Sequence, residues 1–154
     1  MGKHADQHAS LKTWKTMLRN FPMLVVDGVL IESGKICLVK RVDYPYIGWW
    51  VIPGGFVDKN ERLTKAVVRE FYEETGLKTR KIGFLGVYDT PKRDPRGNTI
   101  AVVYLLKRTG GRMRSSNETS DVRFFPANKL PKKIGFDHRR IVKDALKLLR
   151  RKRA

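Results

Sequence analysis

Three glutamates near the middle of the sequence, Glu70, Glu73 and Glu74, have the type and spacing to do chemistry. In a helix their carboxylates fall within an arc of about 100° on one face. Like charges this close repel each other, and a divalent cation would relieve the repulsion, because Mg²⁺ prefers carboxylate oxygens shared with phosphates and water. Taken alone, the three glutamates are more typical of a solvated acidic helix face, with Lys65 and Arg69 as partners.

The residues around the glutamates decide between these interpretations. The segment 55–77 follows the pattern Gly-x5-Glu-x7-Arg-Glu-U-x-Glu-Glu-x-Gly-U, where U is apolar, at every fixed position. It resembles the Nudix box, and the preceding Trp50-Val-Ile-Pro-Gly-Gly55 resembles the strand that leads into that box. The chain is therefore identified as a member of the Nudix hydrolase family, whose members cleave a diphosphate joined to another group, X.

The resemblance implies roles for the residues of the box. It assigns four metal ligands: Glu70, Glu73, Glu74 and the carbonyl oxygen of Gly55. Glu61 and Arg69 would pair and brace the loop that precedes the helix, a structural role. The implied cofactor is Mg²⁺, with Mn²⁺ as the alternative, in two or more ions that neutralise the diphosphate and activate water. The catalytic residues would therefore include Glu70 and Glu73.

A general base is also desirable, and related ADP-ribose hydrolases often supply it from a glutamate on a loop after the box. Glu118, in the polar segment 114–121, is the best-placed candidate. A solvated loop carboxylate is an equally good interpretation of the same residue. Glu73 is the second candidate for the base.

The identity of X is indicated by the segment 93–97, Arg-Asp-Pro-Arg-Gly, which is similar to a segment of ADP-ribose pyrophosphatases and is also good turn chemistry. The resemblance makes Arg93 and Arg96 candidates to contact phosphate or the terminal ribose, since guanidinium matches phosphate bidentately. Tyr46 and Trp49, with neighbouring Tyr44, could stack on adenine or pack in the core. The predicted reaction is hydrolysis of ADP-ribose to AMP and ribose 5-phosphate.

Three other functions stay open. One is removal of oxidised nucleoside triphosphates, with release of pyrophosphate. The second is a non-catalytic regulator that senses ADP-ribose and binds nucleic acid, which the intact glutamates argue against. The third is hydrolysis of RNA 5′ ends, for which salt-dependent RNA binding would be the mark.

The remaining elements are predicted from hydrophobic periodicity and turn residues. The predictions are an amphipathic helix over 9–21, a hairpin over 23–42, a strand over 49–52, a helix over 61–75 ended by Gly76, strands over 82–88, 99–106 and 122–125, and a last helix that opens at Asp137. This order predicts an α/β (α+β) domain, and the resemblance specifies an α/β/α sandwich with a mixed central sheet. The expected division is an N-terminal helical extension over 1–20, the Nudix hydrolase domain over 21–149 and a basic tail over 150–154.

The composition bounds location and partners. The chain has 154 residues, no apolar run long enough to span a bilayer and a single cysteine, Cys37, so a cytoplasmic protein that does not contact the membrane is expected. The net charge is +18, and half of the excess lies in residues 129–154. That segment could bind nucleic acid, but it lacks interleaved aromatics, so a solvated basic helix is favoured. The amphipathic helix over 9–21 could pack on its own domain or form a homodimer.

Overall fold

The computed structural model describes residues 10–151. In chain order the elements are α1 (Leu11–Asn20), β1 (Met23–Glu32), β2 (Lys35–Arg41), β3 (Trp50–Val51), β4 (Gly54–Phe56), α2 (Leu63–Thr75), β5 (Leu77–Tyr88), β6 (Thr99–Gly111), β7 (Thr119–Pro126) and α3 (His138–Arg151). Every helix and strand predicted from the sequence is present. Residues 1–9 of the expected N-terminal extension and 152–154 of the expected tail lie outside the described residues. The expected boundary at 149/150 falls inside α3, which continues to Arg151.

The strands form one mixed sheet in the order β3-β2-β1-β6-β5, with β4 paired to β1 and β7 paired to β2. β1 and β6 run parallel, and the other pairings are antiparallel. β1 is central to the sheet. In the middle of this strand, Asp27 lies opposite Gly54 of β4. This register brings the glycine turn before the Nudix box directly against the middle of the sheet.

Helices cover both faces of the sheet. On one face α2 packs Val67 and Phe71, both fully buried, into one apolar cluster. On the other face α3 packs Ile141, Val142 and Ala145 into the second cluster. The predicted α/β/α sandwich with a mixed central sheet is confirmed.

Two boundaries differ from the prediction, each for a local reason. β5 begins at Leu77 rather than at 82, because Gly76 takes a left-handed φ of 73° and turns the chain straight from α2 into the strand. The start of this strand was not predicted because it contains exposed charged residues, Lys78 and Arg80 among them, which are equally typical of a loop. The last helix begins at His138, one residue after the predicted Asp137, whose carboxylate accepts hydrogen bonds from Arg93.

Helix α1 packs against its own domain. Trp14 and Leu18 are buried on it, and the Trp14 ring meets the Phe56 ring edge-on at a centroid distance of 4.7 Å. The Leu18 carbonyl lies so close to Gly97 that a Cβ there would come within 1.9 Å of the oxygen. Gly97 therefore allows the helix to sit directly against the loop before β6.

None of the helices within residues 10–151 is long and apolar enough to cross a membrane.

Glycine at position 28 is required where α2 crosses β1. A Cβ at Gly28 would lie 2.5 Å from Leu106 Cδ1 and 3.0 Å from the Phe71 ring. We expect Gly28→Ala to lower the free energy of unfolding by about 1–3 kcal/mol, because overpacking forces core side chains off their rotamers. Urea unfolding measures this, with Gly110→Ala as the control, since a Cβ at Gly110 meets nothing within 4 Å. Equal stability of the two variants would contradict the tight packing.

Candidate active site

A cavity of ≈ 310 Å³ opens beside the Nudix box, a volume at the lower end for small-molecule sites. One end is lined by Glu70 and Glu74 from α2 and by Glu118 from the loop before β7. Helix α1 also contributes Trp14 and Met17 to the lining of the cavity. The structure therefore brings the loop glutamate to two of the three glutamates of the helix.

The two helix glutamates in the cavity are buried, with side chains that water cannot easily hydrate. Burial raises the pKa of Glu70 to about 7, and burial also raises the pKa of Glu74 well above its usual value. The nearby charge of Glu118 contributes in the same direction to both. The Gly54 N–H donates to Glu74 Oε2 at 3.0 Å, which favours the charged form of this carboxyl. These carboxylates therefore carry negative charge at a cost that a bound cation would offset.

Glu73 stands apart from the other two. Its side chain is 39% exposed and Oε2 lies 3.3 Å from Arg69 Nη1. Arg69 also donates from Nε and Nη2 to both oxygens of Glu61, each at 2.8 Å, and from Nη1 to Glu70 at 2.7 Å. The hydrogen bonds to Glu61 are the largest reason that the pKa of Arg69 is raised.

Arg69 also ties the helix to the loop before it. Its Nη2 donates to the Phe56 carbonyl at 3.3 Å, and the Asp58 N–H donates to Glu61 at 3.2 Å. The Glu61–Arg69 pair thus connects β4, the loop and α2. Because Arg69 reaches Glu70 and Glu73 as well, it sets the positions of those two carboxylates.

The residues fit a hard divalent cation that is shared with substrate. Within residues 10–151, no three His, Cys, Asp or Glu side chains converge closely enough to hold a metal ion unaided. Mg²⁺ usually takes one or two protein carboxylates and completes its shell with water and phosphates. At Gly55 a Cβ would come within 2.5 Å of Glu70 Oε2, so the glycine keeps the space beside that carboxylate open.

The two arginines predicted to bind substrate line the cavity, but carboxylates already engage them. Arg93 is buried and donates from Nε and Nη2 to both oxygens of Asp137, at 3.0 and 2.7 Å. Arg96 donates in the same way to Asp94, at 3.0 and 2.8 Å. The bidentate edge that would bind phosphate is therefore occupied in both, because a guanidinium removed from water needs a carboxylate partner.

Tyr46 and Trp49 are not among the residues that line the cavity, and the stacking of adenine on these rings stays a prediction. Their ring centroids lie 5.3 Å apart, and Tyr46 also packs edge-on against Phe136 at 4.9 Å. The aromatic rings that do face the cavity are Trp14, Phe56 and Phe136.

A buried polar group was not predicted from the sequence; it belongs to the part of the cavity lining formed by Asp27 and His138, here called the cavity floor. Asp27 is 5% exposed, and its Oδ2 has no hydrogen-bond partner among the described residues. Beside it, His138 Nδ1 accepts from the Ile52 N–H at 2.9 Å, and burial lowers the pKa of His138 to about 3, so the ring is neutral. A signal was present: Asp27 is the one charged residue in the apolar run 23–31.

The charge state of Asp27 gives a testable dependence of stability on pH. Burial raises its pKa from 3.8 to about 7. Between these values the native state keeps a proton that the unfolded state has lost, so this contribution to stability falls as pH rises from about 4 to 7. We expect Asp27→Asn to remove that fall and to have a higher Tm than the natural protein at pH 8. Thermal unfolding from pH 5 to 8 measures the difference, and a constant difference between the two would contradict it.

Comparison with known proteins agrees with this geometry. The NUDIX domain model matches residues 22–145. The chain is 42% identical over 137 residues to the ADP-ribose pyrophosphatase of Methanocaldococcus jannaschii, covering 89% of this chain and 79% of that protein. It is 29% identical over 141 residues to the ADPR responsive transcriptional repressor NtrR of Acinetobacter baylyi, covering 85% of this chain and 56% of the repressor.

A solved structure shows the same fold. The NUDIX domain of Shewanella oneidensis NrtR, complexed with ADP ribose, superposes with a TM-score of 0.73 at 27% identity, covering 97% of this chain and 99% of that chain. The sandwich, the box and the cavity beside it are those of a Nudix hydrolase, and the chain belongs to the Nudix family. It is a Nudix hydrolase of the ADP-ribose pyrophosphatase-like kind.

Proposed function

We propose that this enzyme hydrolyses ADP-ribose to AMP and ribose 5-phosphate with Mg²⁺, or Mn²⁺ as the alternative, in two or more ions. The observation that carries the proposal is the meeting of Glu70, Glu74 and Glu118 at one end of a cavity whose other walls are aromatic and polar. Such a cavity can hold a diphosphate at the acidic end and the rest of a nucleotide sugar beyond it. The similarity to the Methanocaldococcus jannaschii pyrophosphatase supports this substrate.

In this proposal Glu70, Glu73 and Glu74 would hold the cations together with the Gly55 carbonyl. When bound, the ions neutralise the diphosphate and lower the pKa of the attacking water. The protein contributes mostly position and electrostatics, as is general in phosphoryl transfer. The Glu61–Arg69 brace fixes the helix against its loop.

Glu118 is the group that would take the proton from the attacking water, because it lines the cavity near the helix glutamates. Arg41 and Lys59 also line the cavity and supply positive charge near the diphosphate. The proton passes to a carboxylate while the leaving phosphate departs as an anion. Glu73 is the second candidate for the base.

Product profiling with Mg²⁺ across a substrate panel tests the proposal. The panel contains ADP-ribose, NADH, a diadenosine polyphosphate, oxidised dGTP and capped RNA. We expect AMP from ADP-ribose to dominate by kcat/KM. Preference for oxidised dGTP would make the chain a triphosphate-sanitising enzyme. Tight ADP-ribose binding without hydrolysis would make it a sensor like the repressor relative.

Other features of the proposal concern location and partners. We place the activity in the cytoplasm, which stays a prediction. A homodimer also stays a prediction, although α1 already buries Trp14 and Leu18 against its own domain. Binding of nucleic acid through the basic C-terminal segment is not favoured, and salt-dependent retention on RNA would show it.

A further inference from the structure

The cavity floor contains a buried acceptor that the proposed chemistry does not use. Asp27 lies on β1 with only 5% of its surface exposed, and it lines the cavity. Its Oδ2 is without a hydrogen-bond partner among residues 10–151. Buried carboxyl oxygens are normally paired, because an unsatisfied one costs its full desolvation free energy. An unpaired acceptor that faces a ligand cavity therefore points to a group supplied by the ligand.

The nearest donors do not reach this oxygen. His138 Nε2 lies 3.6 Å from Oδ2, beyond a hydrogen bond, and Arg93 Nη2 lies 4.0 Å away. Arg93 is held back by Asp137, which accepts from the same nitrogen at 2.7 Å. Because His138 Nδ1 accepts from the Ile52 N–H, the proton of its neutral ring is on Nε2. An acceptor and an N–H donor thus stand side by side on the floor.

A hydroxyl group matches this pair, since it donates one hydrogen bond and accepts others. A phosphate oxygen does not match it, because an ionised phosphate only accepts and would meet an acceptor. The position also matters: Asp27 lies opposite Gly54 across the β1–β4 ladder, and Gly54 is bonded to Gly55 at the acidic end. A group here is close to the diphosphate, where a nucleotide sugar carries ribose rather than base.

We propose that Asp27, with His138 beside it, binds a hydroxyl of the terminal ribose, the sugar joined to the far phosphate of ADP-ribose. Because a nucleoside triphosphate lacks that sugar, this contact selects a sugar-linked diphosphate. This inference rests on the proposed function, because it names the part of that substrate which the floor recognises. Asp27 is then a specificity-determining residue that lies outside the Nudix box. A further phosphate in place of the sugar finds no donor at Oδ2.

The test combines Asp27→Asn with substrate analogues that lack one hydroxyl. Asparagine keeps the size of the side chain but replaces one acceptor oxygen with a donor. At pH 8 we expect Asp27→Asn to raise KM for ADP-ribose by about tenfold to a hundredfold, the usual effect of losing a hydrogen bond to a charged group, with kcat changed much less. Glu32→Gln, at the far end of the same strand, is the matched control and should leave KM unchanged.

A ribose contact has a signature that a structural role lacks. In the natural protein, an analogue of ADP-ribose that lacks one hydroxyl of the terminal ribose should show the same rise in KM. For that analogue Asp27→Asn should add little further loss. Asp27→Asn should also lower the ratio of kcat/KM for ADP-ribose to kcat/KM for ATP. Because the analogue series needs only the natural protein, it decides the matter even if the variant unfolds.

Each outcome separates this inference from the proposed function. If the natural protein does not cleave ADP-ribose, the proposed function fails first. If it does, and the analogues that lack a terminal-ribose hydroxyl are cleaved as well as ADP-ribose, the ribose contact is wrong. If Asp27→Asn raises KM for ADP-ribose but not for its hypoxanthine analogue, which lacks the amino group of adenine, the floor contacts the base edge instead and the inference is overturned.

Discussion

Replacing Glu74 with glutamine is expected to lower kcat at least about 100-fold, more than the loss that follows from removing an outer-shell partner of a metal ligand. Glu74 lines the acidic end of the cavity and is buried, so its charge is available to a cation and to little else. Glutamine can still accept from the Gly54 N–H through its carbonyl oxygen. The loss should therefore come from charge and not from a displaced turn.

Stability separates this outcome from simple unfolding. Burial raises the pKa of Glu74, so the ionised carboxylate destabilises the metal-free fold at high pH, and its removal should leave Tm at pH 8 in EDTA equal or higher. Added Mg²⁺ should raise the Tm of the natural protein but not that of Glu74→Gln. Near-normal turnover in the variant, or an unchanged response to Mg²⁺, would remove Glu74 from the metal site. Glu32→Gln again serves as the control.

Glu118→Gln is expected to lower kcat by about 10²- to 10⁴-fold with little change in KM, the usual contribution of a general base. The residue is held in place by its neighbours: its N–H donates to Ser116 Oγ at 3.1 Å, and the Val42 N–H donates to its carbonyl at 3.3 Å. The next residue, Thr119, is buried and donates from Oγ1 to the Glu74 carbonyl at 3.0 Å. The loop is thereby fixed relative to the helix glutamates.

The comparison variant for this prediction is Glu73→Gln, because Glu73 is the other candidate for the base. Steady-state kinetics with ADP-ribose at saturating Mg²⁺ give kcat and KM for both. A Glu118→Gln enzyme with normal kcat, beside a Glu73→Gln enzyme that is slow, would transfer the role to the helix. If kcat falls in both variants, and the rise in Tm on addition of Mg²⁺ is reduced only in Glu73→Gln, the results fit Glu118 as the base and Glu73 as a metal ligand.

Local patterns predicted much of the fold. The period of Leu11, Trp14 and Leu18 indicated α1, and Gly76 indicated the end of α2, because these signals come from residues near each other in the chain. The Nudix box likewise lies within one continuous segment. The start of β5 was missed because its solvent-facing residues are charged, and no local rule distinguishes them from a loop.

The part of the site that lies outside the Nudix box could not be predicted in this way, because it is assembled from segments that are distant in the sequence. Arg93 binds Asp137, 44 positions later, and a sequence does not show which carboxylate will take a guanidinium. Tyr46 and Trp49 have the chemistry to stack on a base, but only the fold shows that they pack against each other and that Tyr46 contacts Phe136. Asp27 gave a sequence signal, a lone charge in a buried strand, without showing what lies beside it.

The parallel pairing of β1 with β6 has a consequence for how the enzyme acquires activity as it folds. Residues Met23–Leu30 pair with Thr99–Leu106, and the chain between them contains the whole Nudix box. The conformational entropy of this long loop is lost before the stabilising contacts between the two strands form. Such pairings are therefore slow to form. Glu70 and Glu74 lie on the segment inside this loop, whereas Asp27 is on one closing strand and Arg93 just precedes the other. In a folding intermediate that lacks this pairing, Glu70 and Glu74 are present but Asp27 and Arg93 are not yet in place beside them. Catalytic activity should therefore appear together with the last cooperative step of folding.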